Sequence, residues 1–303
     1  MNFYRTKNIL IAVLLQVPLS VCSQQKFPKV IPAGNYSGIC CLGDDRYAVV
    51  SDKSPTDGFF VFRLDVDTLR GRILHVENEG YRSSGQPNCD MEAICFFPPA
   101  ATVFIANEQL NEVNEYTIDG QRTGRQLEIP EDIRRANHNY GLESLCYDAR
   151  RHRFFTTTER PLKGDTLLRI MAFDDHLHLA ETYYYQPDKP LSRKYYQGVS
   201  ELCAQDDGRL LVLERQIRVP RLKVGAKTVV RLYEVVPSDG RLLKKRLVRE
   251  IKTRLTLTGR KFANYEGLCA LPGGWLLLIA DSQNRYKGGL RDWLLLVPDA
   301  GNM

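Results

Sequence analysis

Five serine and glutamate residues occupy one repeated position, three residues before a cysteine, and together they could bind a hard cation. The cysteines are Cys40, Cys95, Cys146, Cys203 and Cys269. The oxygen-bearing residues are Ser37, Glu92, Glu143, Ser200 and Glu266. Three carboxylates brought together repel one another, so without a cation at least one would stay protonated. An oxygen-only set favours Ca²⁺, which takes about six to eight oxygen ligands. The alternative is that these side chains bind channel waters or cap backbone amides.

A second set of acids follows each cysteine by eleven to thirteen residues and indicates hydrolytic chemistry. These candidate catalytic residues are Asp52, Glu108, Glu159, Glu214 and Asp281. Basic neighbours of four of them are candidates for substrate binding: Lys53, Arg160, Arg215 and Arg285. Arginine binds phosphate oxygens in pairs, and a carboxylate beside a metal can activate water. The alternative, that these pairs are surface salt bridges of little energetic weight, stays open.

Both sets belong to a segment that the chain repeats five times. Successive copies begin 55, 51, 57 and 66 residues apart, and two further alternating apolar runs separate them, such as GFFVFRLD and GRILHVE. Four strands per repeat of about 50 residues are typical of a propeller blade. The sequence therefore predicts an all-β fold, a five-bladed β-propeller of four-stranded blades. A six-bladed ring is the weaker alternative, because it needs a blade that the sequence does not contain.

The two ends of the repeat array predict how the ring closes. After DWLLLVP the last copy is one strand short, and KFPKVIP precedes the first copy as a spare strand. We expect this N-terminal strand to complete the last blade and remove exposed sheet edges. The first strand of each blade lines the channel, so the Ser/Glu position becomes a ring around the axis. The second strand returns antiparallel, so the second set of acids surrounds the mouth of that ring.

The repeated cysteines are predicted to pack between blades. Each stands three residues after a ring position, so strand alternation places it on the opposite side, where a small apolar residue fits. Cys41 and Cys89 are candidates for a disulfide, but the sequence does not decide connectivity.

The N-terminus predicts export. Residues 1–23 contain Arg5 and Lys7, then an apolar stretch, then small residues suited to cleavage after Ser23, which is the layout of a signal peptide. The segment LSVC also resembles a lipoprotein box in which Cys22 carries the lipid. Residues 24–303 then form a single propeller domain in the periplasm or outside the cell. No later apolar stretch approaches the roughly 18 residues that a membrane span needs.

Charge and missing motifs exclude several classes of protein. Removing Arg5 and Lys7 lowers the formal net charge from +6 to +4, and no basic run of the kind that nucleic acid requires is present. The sequence contains no Gly-x-Ser-x-Gly elbow, His-Glu-x-x-His, glycine-rich phosphate loop or Cys-x-x-Cys. A nucleic-acid partner and a serine hydrolase are therefore disfavoured.

The repeated segments resemble two families. GLESLCYD, GVSELCAQDDGRLLVLER and NYEGLCALPGGWLLLIADSQN resemble the exported bacterial phytase-like proteins described as having esterase-like activity of phytase. The order Ser, Glu, Glu, Ser, Glu around the axis is also similar to that of the calcium-activated nucleotidases (apyrases), which are five-bladed propellers. The second resemblance implies a central Ca²⁺ on the five ring residues. No nucleoside-binding element is recognisable, so a nucleotide substrate is not implied.

These observations predict a secreted, monomeric, Ca²⁺-dependent hydrolase of phosphoester or phosphoanhydride bonds. Its substrate would be a small phosphorylated anion bound in the central funnel, with Asp52 or another acid of the second set as the base. Two other classes stay open. One is a propeller with a structural Ca²⁺ that binds a ligand or partner without turnover, and the other is a purely structural propeller without metal.

Overall fold

Five antiparallel sheets of four strands make up the protein. The structure is a computed structural model that describes residues 23–28, 31–135, 140–238, 241–259, 261–284 and 290–299. These residues form twenty strands and, as helix, only a single α-turn, α1 (Glu131–Arg134), and a 3-10 turn at Pro98–Ala100. The predicted all-β, five-bladed propeller of four-stranded blades is therefore confirmed.

In four blades the strands pair in chain order, each with the next. Blade 1 contains β2 (Tyr36–Gly43), β3 (Arg46–Ser51), β4 (Phe59–Asp67) and β5 (Arg72–Arg82). Blade 2 contains β6 (Met91–Phe97), β7 (Thr102–Asn107), β8 (Glu112–Thr117) and β9 (Arg122–Gln126). Blade 3 contains β10 (Leu142–Asp148), β11 (Arg153–Thr158), β12 (Leu168–Phe173) and β13 (Leu179–Tyr185). Blade 4 contains β14 (Tyr196–Ala204), β15 (Leu210–Arg218), β16 (Lys227–Val235) and β17 (Arg246–Arg254).

Blade 5 joins the two ends of the chain. It contains β18 (Asn264–Leu271), β19 (Trp275–Asp281), β20 (Trp293–Pro298) and the N-terminal β1 (Ser23–Lys26). Strand β1 pairs antiparallel with β20 from Ser23 opposite Leu296 to Lys26 opposite Trp293. The predicted closure is confirmed, but the strand precedes most of KFPKVIP and shares only Lys26 with it. Pro28 and Pro32 have no N–H to donate to a ladder, which explains why pairing stops before them.

Burial decreases from the inner to the outer strands. All six residues of β7 (TVFIAN) are buried, whereas all five residues of β9 (RTGRQ) are exposed. The inner strands are covered on both faces by neighbouring blades, so they are apolar almost throughout. The outermost strands keep only part of their surface out of water, which explains their high content of charged residues.

The hydrophobic core lies between the blades. Each of the five apolar clusters combines residues of two adjacent blades, and each contains one of the repeated cysteines. This confirms that the cysteines pack between blades. The seven cysteines in the described part of the chain are all free thiols, Cys41 and Cys89 included. Burial raises the pKa of the Cys95 and Cys146 thiols well above the usual value, so they stay protonated.

Within the described residues, none of the helical segments has the length and apolar character that crossing a membrane requires. The predicted signal peptide and the candidate lipid site at Cys22 fall almost wholly in residues 1–22, outside the described part.

Candidate functional site

A break in strand pairing marks every position of the Ser/Glu ring. The ladder between first and second strands skips Glu92, Glu143, Ser200 and Glu266, and in blade 1 it skips both Ser37 and the residue after it. A β-bulge turns a side chain out of the regular alternation and often does so beside a functional site. Five equivalent bulges therefore direct five oxygen-bearing side chains towards one axis.

The ring residues are buried and incompletely hydrogen bonded. Each is less than a tenth exposed. The Ser200 hydroxyl has no hydrogen-bond partner among the described residues, and Ser37 donates a long bond of 3.4 Å to the carbonyl of Asn35 and also bonds with Glu92. Glu266 accepts a bond of 2.8 Å from the Asn264 side-chain amide. Buried oxygens with spare bonding capacity are what a cation or ordered water would satisfy.

A second layer of charged residues lies beside the ring. Its members are at or just after the ends of the second strands, each opposite the residue two positions before a ring residue. Asp52, Glu108 and Glu159 donate their backbone N–H to the residue two positions before a ring residue, at 3.2, 2.8 and 2.9 Å. Asp281 pairs with Asn264 in the same register. In blade 4 the residue at this register is Arg215, which pairs with Gly198. Four acids and one arginine thus form the second layer.

Glu214 falls one residue out of this register, opposite Val199. Successive strand residues point to opposite faces, so its side chain lies on the other side of the sheet. There its Oε1 accepts bonds from Tyr185 at 2.6 Å and Lys245 at 2.7 Å, and its Oε2 accepts a bond from the Asp188 backbone at 3.0 Å. The structure therefore places Glu214 in a partly buried polar network between blades 3 and 4, whereas the sequence spacing places it at the mouth of the ring.

The two layers enclose a cavity of about 490 Å³. Six carboxylic residues line it: Asp52, Glu92, Glu108, Glu143, Glu266 and Asp281. Two cationic residues, Arg215 and Lys223, also line it. The structure thus brings together three of the five predicted ring residues with three of the five predicted catalytic acids, and the acids clearly outnumber the cations.

Burial raises the pKa of every one of these carboxyl groups. Loss of solvation is the largest cause throughout, and neighbouring acids add to it. The pKa is raised to about 6 for Asp52, about 7 for Glu108 and about 8 for Glu266. For Glu92 and Glu143 the pKa lies well above the usual value. The cavity therefore holds protons near neutral pH that a bound cation would displace.

Arg215 is the resident cation of the cavity. Its guanidinium is only 11% exposed, forms a salt bridge of 3.1 Å to Glu159 and contacts Glu266 of the ring. Glu159 is itself fully buried and also accepts a bond from the Tyr196 hydroxyl. Arg215, predicted as a rim residue, thus lies inside the cavity and joins the two layers.

The other predicted basic residues lie nearer the surface. Lys53 is half exposed and lies 3.0 Å from both Asp52 and Asp90. Arg160 donates a bond of 2.9 Å to the Gln197 carbonyl, and its guanidinium stacks 3.8 Å from the centre of the Tyr196 ring. Arg285 lies outside the described residues.

The donor chemistry of the ring fits Ca²⁺. Its side-chain donors are all oxygens, and the unpartnered Ser200 hydroxyl provides a free ligand. In the described part of the chain, however, no three carboxylates, thiols or imidazoles are gathered closely enough to form a ready metal site. Any Ca²⁺ here would therefore use few carboxylates at once and complete its shell with hydroxyl, carbonyl or water oxygens.

Glu201, next to a ring residue, is a buried acid that the sequence pattern did not reveal. The corresponding residues in the other blades are small: Gly38, Ala93, Ser144 and Gly267. The first strands of adjacent blades nearly touch here, since a Cβ on Gly267 would lie 2.7 Å from the Ser37 carbonyl oxygen. Glu201 accepts bonds of 3.0 Å from the N–H groups of Leu145 and Leu202 and so links blades 3 and 4. A glutamate at a position where the other four repeats have Gly, Ala or Ser was the sequence feature that could have identified Glu201.

Fold and site together define a five-bladed propeller with a buried, acid-rich central cavity. The sequence profile of the phytase-like family, described as esterase-like activity of phytase, matches residues 31–283. The chain belongs to this family, and the match spans all five repeats. No curated protein matches the sequence.

The solved structures that resemble this chain do so only distantly. An aldose sugar dehydrogenase from Streptomyces coelicolor, in its PQQ-bound form, is 12% identical with a TM-score of 0.49, covering 92% of this chain and 98% of that one. A luciferin-regenerating enzyme is 8% identical with a TM-score of 0.48, covering 93% and 96%. A streptogramin B lyase is 10% identical with a TM-score of 0.43, covering 90% and 97%. Likenesses this distant carry no argument about function.

Proposed function

We propose that the central cavity is the active site of a Ca²⁺-dependent hydrolase of phosphoester or phosphoanhydride bonds. The observation that carries the proposal is the excess of buried and partly buried carboxyl groups, six against two cationic side chains, around a cavity large enough for a small ligand. Burying so many carboxylates lowers the free energy of unfolding unless a cation or bound protons compensate their charge. Perturbed acids in a cavity are also typical of catalytic sites.

The ring would hold the cation. Ser37, Glu92, Glu143, Ser200 and Glu266 offer only oxygen donors, and one or two of the glutamates would supply negative charge while hydroxyl, carbonyl or water oxygens complete the shell. When bound, Ca²⁺ would neutralise charge on the phosphate group of the substrate. Arg215 would share Glu266 with the cation and keep Glu159 fixed beside it.

Asp52 is the best-placed general base. It lines the cavity, and its Oδ1 is buried without a hydrogen-bond partner among the described residues. Its Oδ2 is held 3.0 Å from Lys53. With a pKa of about 6, the carboxylate is ionised at neutral pH and basic enough to accept a proton from water.

Glu108 is suited to the complementary role of acid. Its pKa of about 7 leaves a substantial protonated fraction at neutral pH. In this mechanism water attacks phosphorus and gives its proton to Asp52, while the bond from phosphorus to the leaving oxygen breaks and that oxygen takes a proton from Glu108. Asp281 would add a further acid to the cavity lining. Lys53 and Arg160 would attract the anionic substrate. Glu159 would position Arg215 and Glu214 would position Lys245.

Asp52→Asn tests this assignment. We expect hydrolysis of 4-nitrophenyl phosphate in Ca²⁺ to fall by about 10²-fold or more, since a positioned base contributes about 10² to 10⁴ in rate. Asp44→Asn is the matched control, because Asp44 is on the same blade with its side chain 87% exposed. Equal rates in the wild type and Asp52→Asn would remove Asp52 from the mechanism.

A propeller that binds a ligand without turnover remains the second candidate. The fixed Arg215, bonded to Glu159 and Glu266, favours it, since a neutralised ring can be purely structural. Ligand binding by calorimetry with no phosphate released over a screen of phosphoesters would select this function.

We also propose a monomeric protein exported by a signal peptide spanning residues 1–23, with Cys22 as the alternative lipid site. Mass spectrometry of the mature N-terminus and light scattering test these points.

A further inference from the structure

The walls of the central cavity differ in chemistry. The acids lie on the first and second strands around the axis. The apolar part of the lining, which we call the apolar wall, consists of Ile217, Val219, Ala226, Leu255, Phe262 and Leu290. Tyr196, 37% exposed, adds an aromatic ring at the boundary between the walls. A ligand that fills the cavity must therefore carry a charged end and an apolar body.

Blade 4 contributes most of this apolar wall, with Ile217 on β15 and with Val219, Ala226 and Leu255 at the ends of its strands, which are longer than those of the neighbouring blades. Phe262 and Leu290 precede strands of blade 5. Strands β14 to β17 are each nine residues long, whereas β3, β7 and β11 have six. The additional residues of β15 continue past Arg215, and Ile217 pairs there with Tyr196. The wall therefore stands beyond the ring on one side of the cavity mouth.

The charge of the cavity limits how many phosphates a substrate can carry. Six carboxylic residues line it against only two cationic ones, so the lining offers few positively charged partners to phosphate groups. A ligand with several phosphate groups would be repelled at short range. A single phosphate held by a cation and Arg215 is compatible with this charge.

We propose that the substrate is a phosphomonoester of an aromatic alcohol or phenol, with its ring against Val219, Ile217 and Phe262. The inference rests on the proposed function and narrows its substrate class. An aromatic ring suits the wall because the aromatic residues Phe262 and Tyr196 line the cavity, and stacked or edge-on rings gain attraction beyond simple burial. Polyphosphorylated sugars and inositols lack the apolar body and exceed the charge that the site tolerates.

Calorimetry with two phosphonates of equal charge tests the apolar wall without requiring turnover. The probes are 2-naphthylmethylphosphonate and methylphosphonate, titrated into the whole mature protein in Ca²⁺. We expect the naphthyl compound to bind at least tenfold more tightly, since its ring would leave water. Val219→Ser should weaken only the naphthyl compound, by about threefold to tenfold.

Val236→Ser is the matched control, because Val219 and Val236 are both 51% exposed and only Val219 lines the cavity. Tighter naphthyl binding that Val219→Ser alone reduces would support the aromatic subsite. If no phosphoester were hydrolysed as well, the proposed hydrolase would fail and the subsite would stand. Equal affinity for both phosphonates, or no binding of either, would overturn the subsite.

Discussion

Arg215 has the strongest effect on the charge of the cavity. It takes the place that Asp52, Glu108, Glu159 and Asp281 hold in the other blades, and it brings a positive charge into a layer of acids. Sequence spacing did not reveal this. The turn between the first two strands differs in length from blade to blade, so counting from the cysteine selected Glu214, whereas strand pairing selects Arg215. A shift of one residue reverses the face of a strand, which explains the different fates of the two side chains.

Arg215→Met should destabilise the protein most when Ca²⁺ is absent. Removal of the guanidinium leaves Glu159 and Glu266 buried without their cation, and breaking a buried ion pair costs about 3 to 5 kcal/mol. We expect a lower melting temperature in chelator and a larger rise on Ca²⁺ addition than in the wild type. Thermal denaturation with and without Ca²⁺ measures both.

Arg70→Met is the control, since that side chain is 76% exposed and pairs only at the surface with Asp67. A melting temperature of Arg215→Met equal to that of Arg70→Met would show that Arg215 is not the counterion of the ring.

At the scale of the elements, five bulges and one closing strand build the site. The bulges were beyond prediction because a bulge changes pairing without changing residue type. The closing strand was predicted, but it was placed a few residues too late because the alternating pattern KFPKVIP outweighed its two prolines. Glu201 was missed for a related reason, since the close approach of neighbouring first strands is a property of the assembled blades.

Strand β1 should contribute strongly to stability. Without it β20 becomes an exposed edge, and the lost ladder of three to four hydrogen bonds is worth roughly 2 to 5 kcal/mol. We expect a chain beginning at Pro28 to melt several degrees below one beginning at Gln24, and to aggregate more readily. Differential scanning calorimetry and light scattering test this. Identical melting of the two chains would show that closure by β1 is not needed.

For the whole molecule, the fivefold sequence repeat was the basis for predicting the fold and the ring residues. Five copies of one strand pattern predict five blades and a common axis, so the ring residues followed from the fold. The apolar wall did not, because it depends on the longer strands of blade 4 and on connecting segments of blades 4 and 5 that do not follow the repeat.

Stability without Ca²⁺ should fall as pH rises through neutrality. Asp52 and Glu108 bind protons more tightly in the folded chain than in the unfolded chain, with folded pKa values of about 6 and about 7. Their contribution is complete below the ordinary carboxyl pKa of about 4 and is lost as pH rises through those folded values. We therefore expect the melting temperature in chelator to decrease between pH 5 and pH 8, taken as rough limits of that window.

Saturating Ca²⁺ should flatten this dependence, because the cation replaces the bound protons. The double variant Asp52→Asn with Glu108→Gln should flatten it in chelator as well. A melting temperature that rises with pH in chelator would contradict the assignment of these two groups.

Calorimetric titration of Ca²⁺ into the purified mature protein tests the central claim most directly. We expect about one Ca²⁺ per chain, released protons on binding, and loss of binding in the double variant Glu92→Gln with Glu143→Gln. No Ca²⁺ binding by the wild type, or unchanged binding by the double variant, would contradict a cation-holding ring at the centre of this propeller.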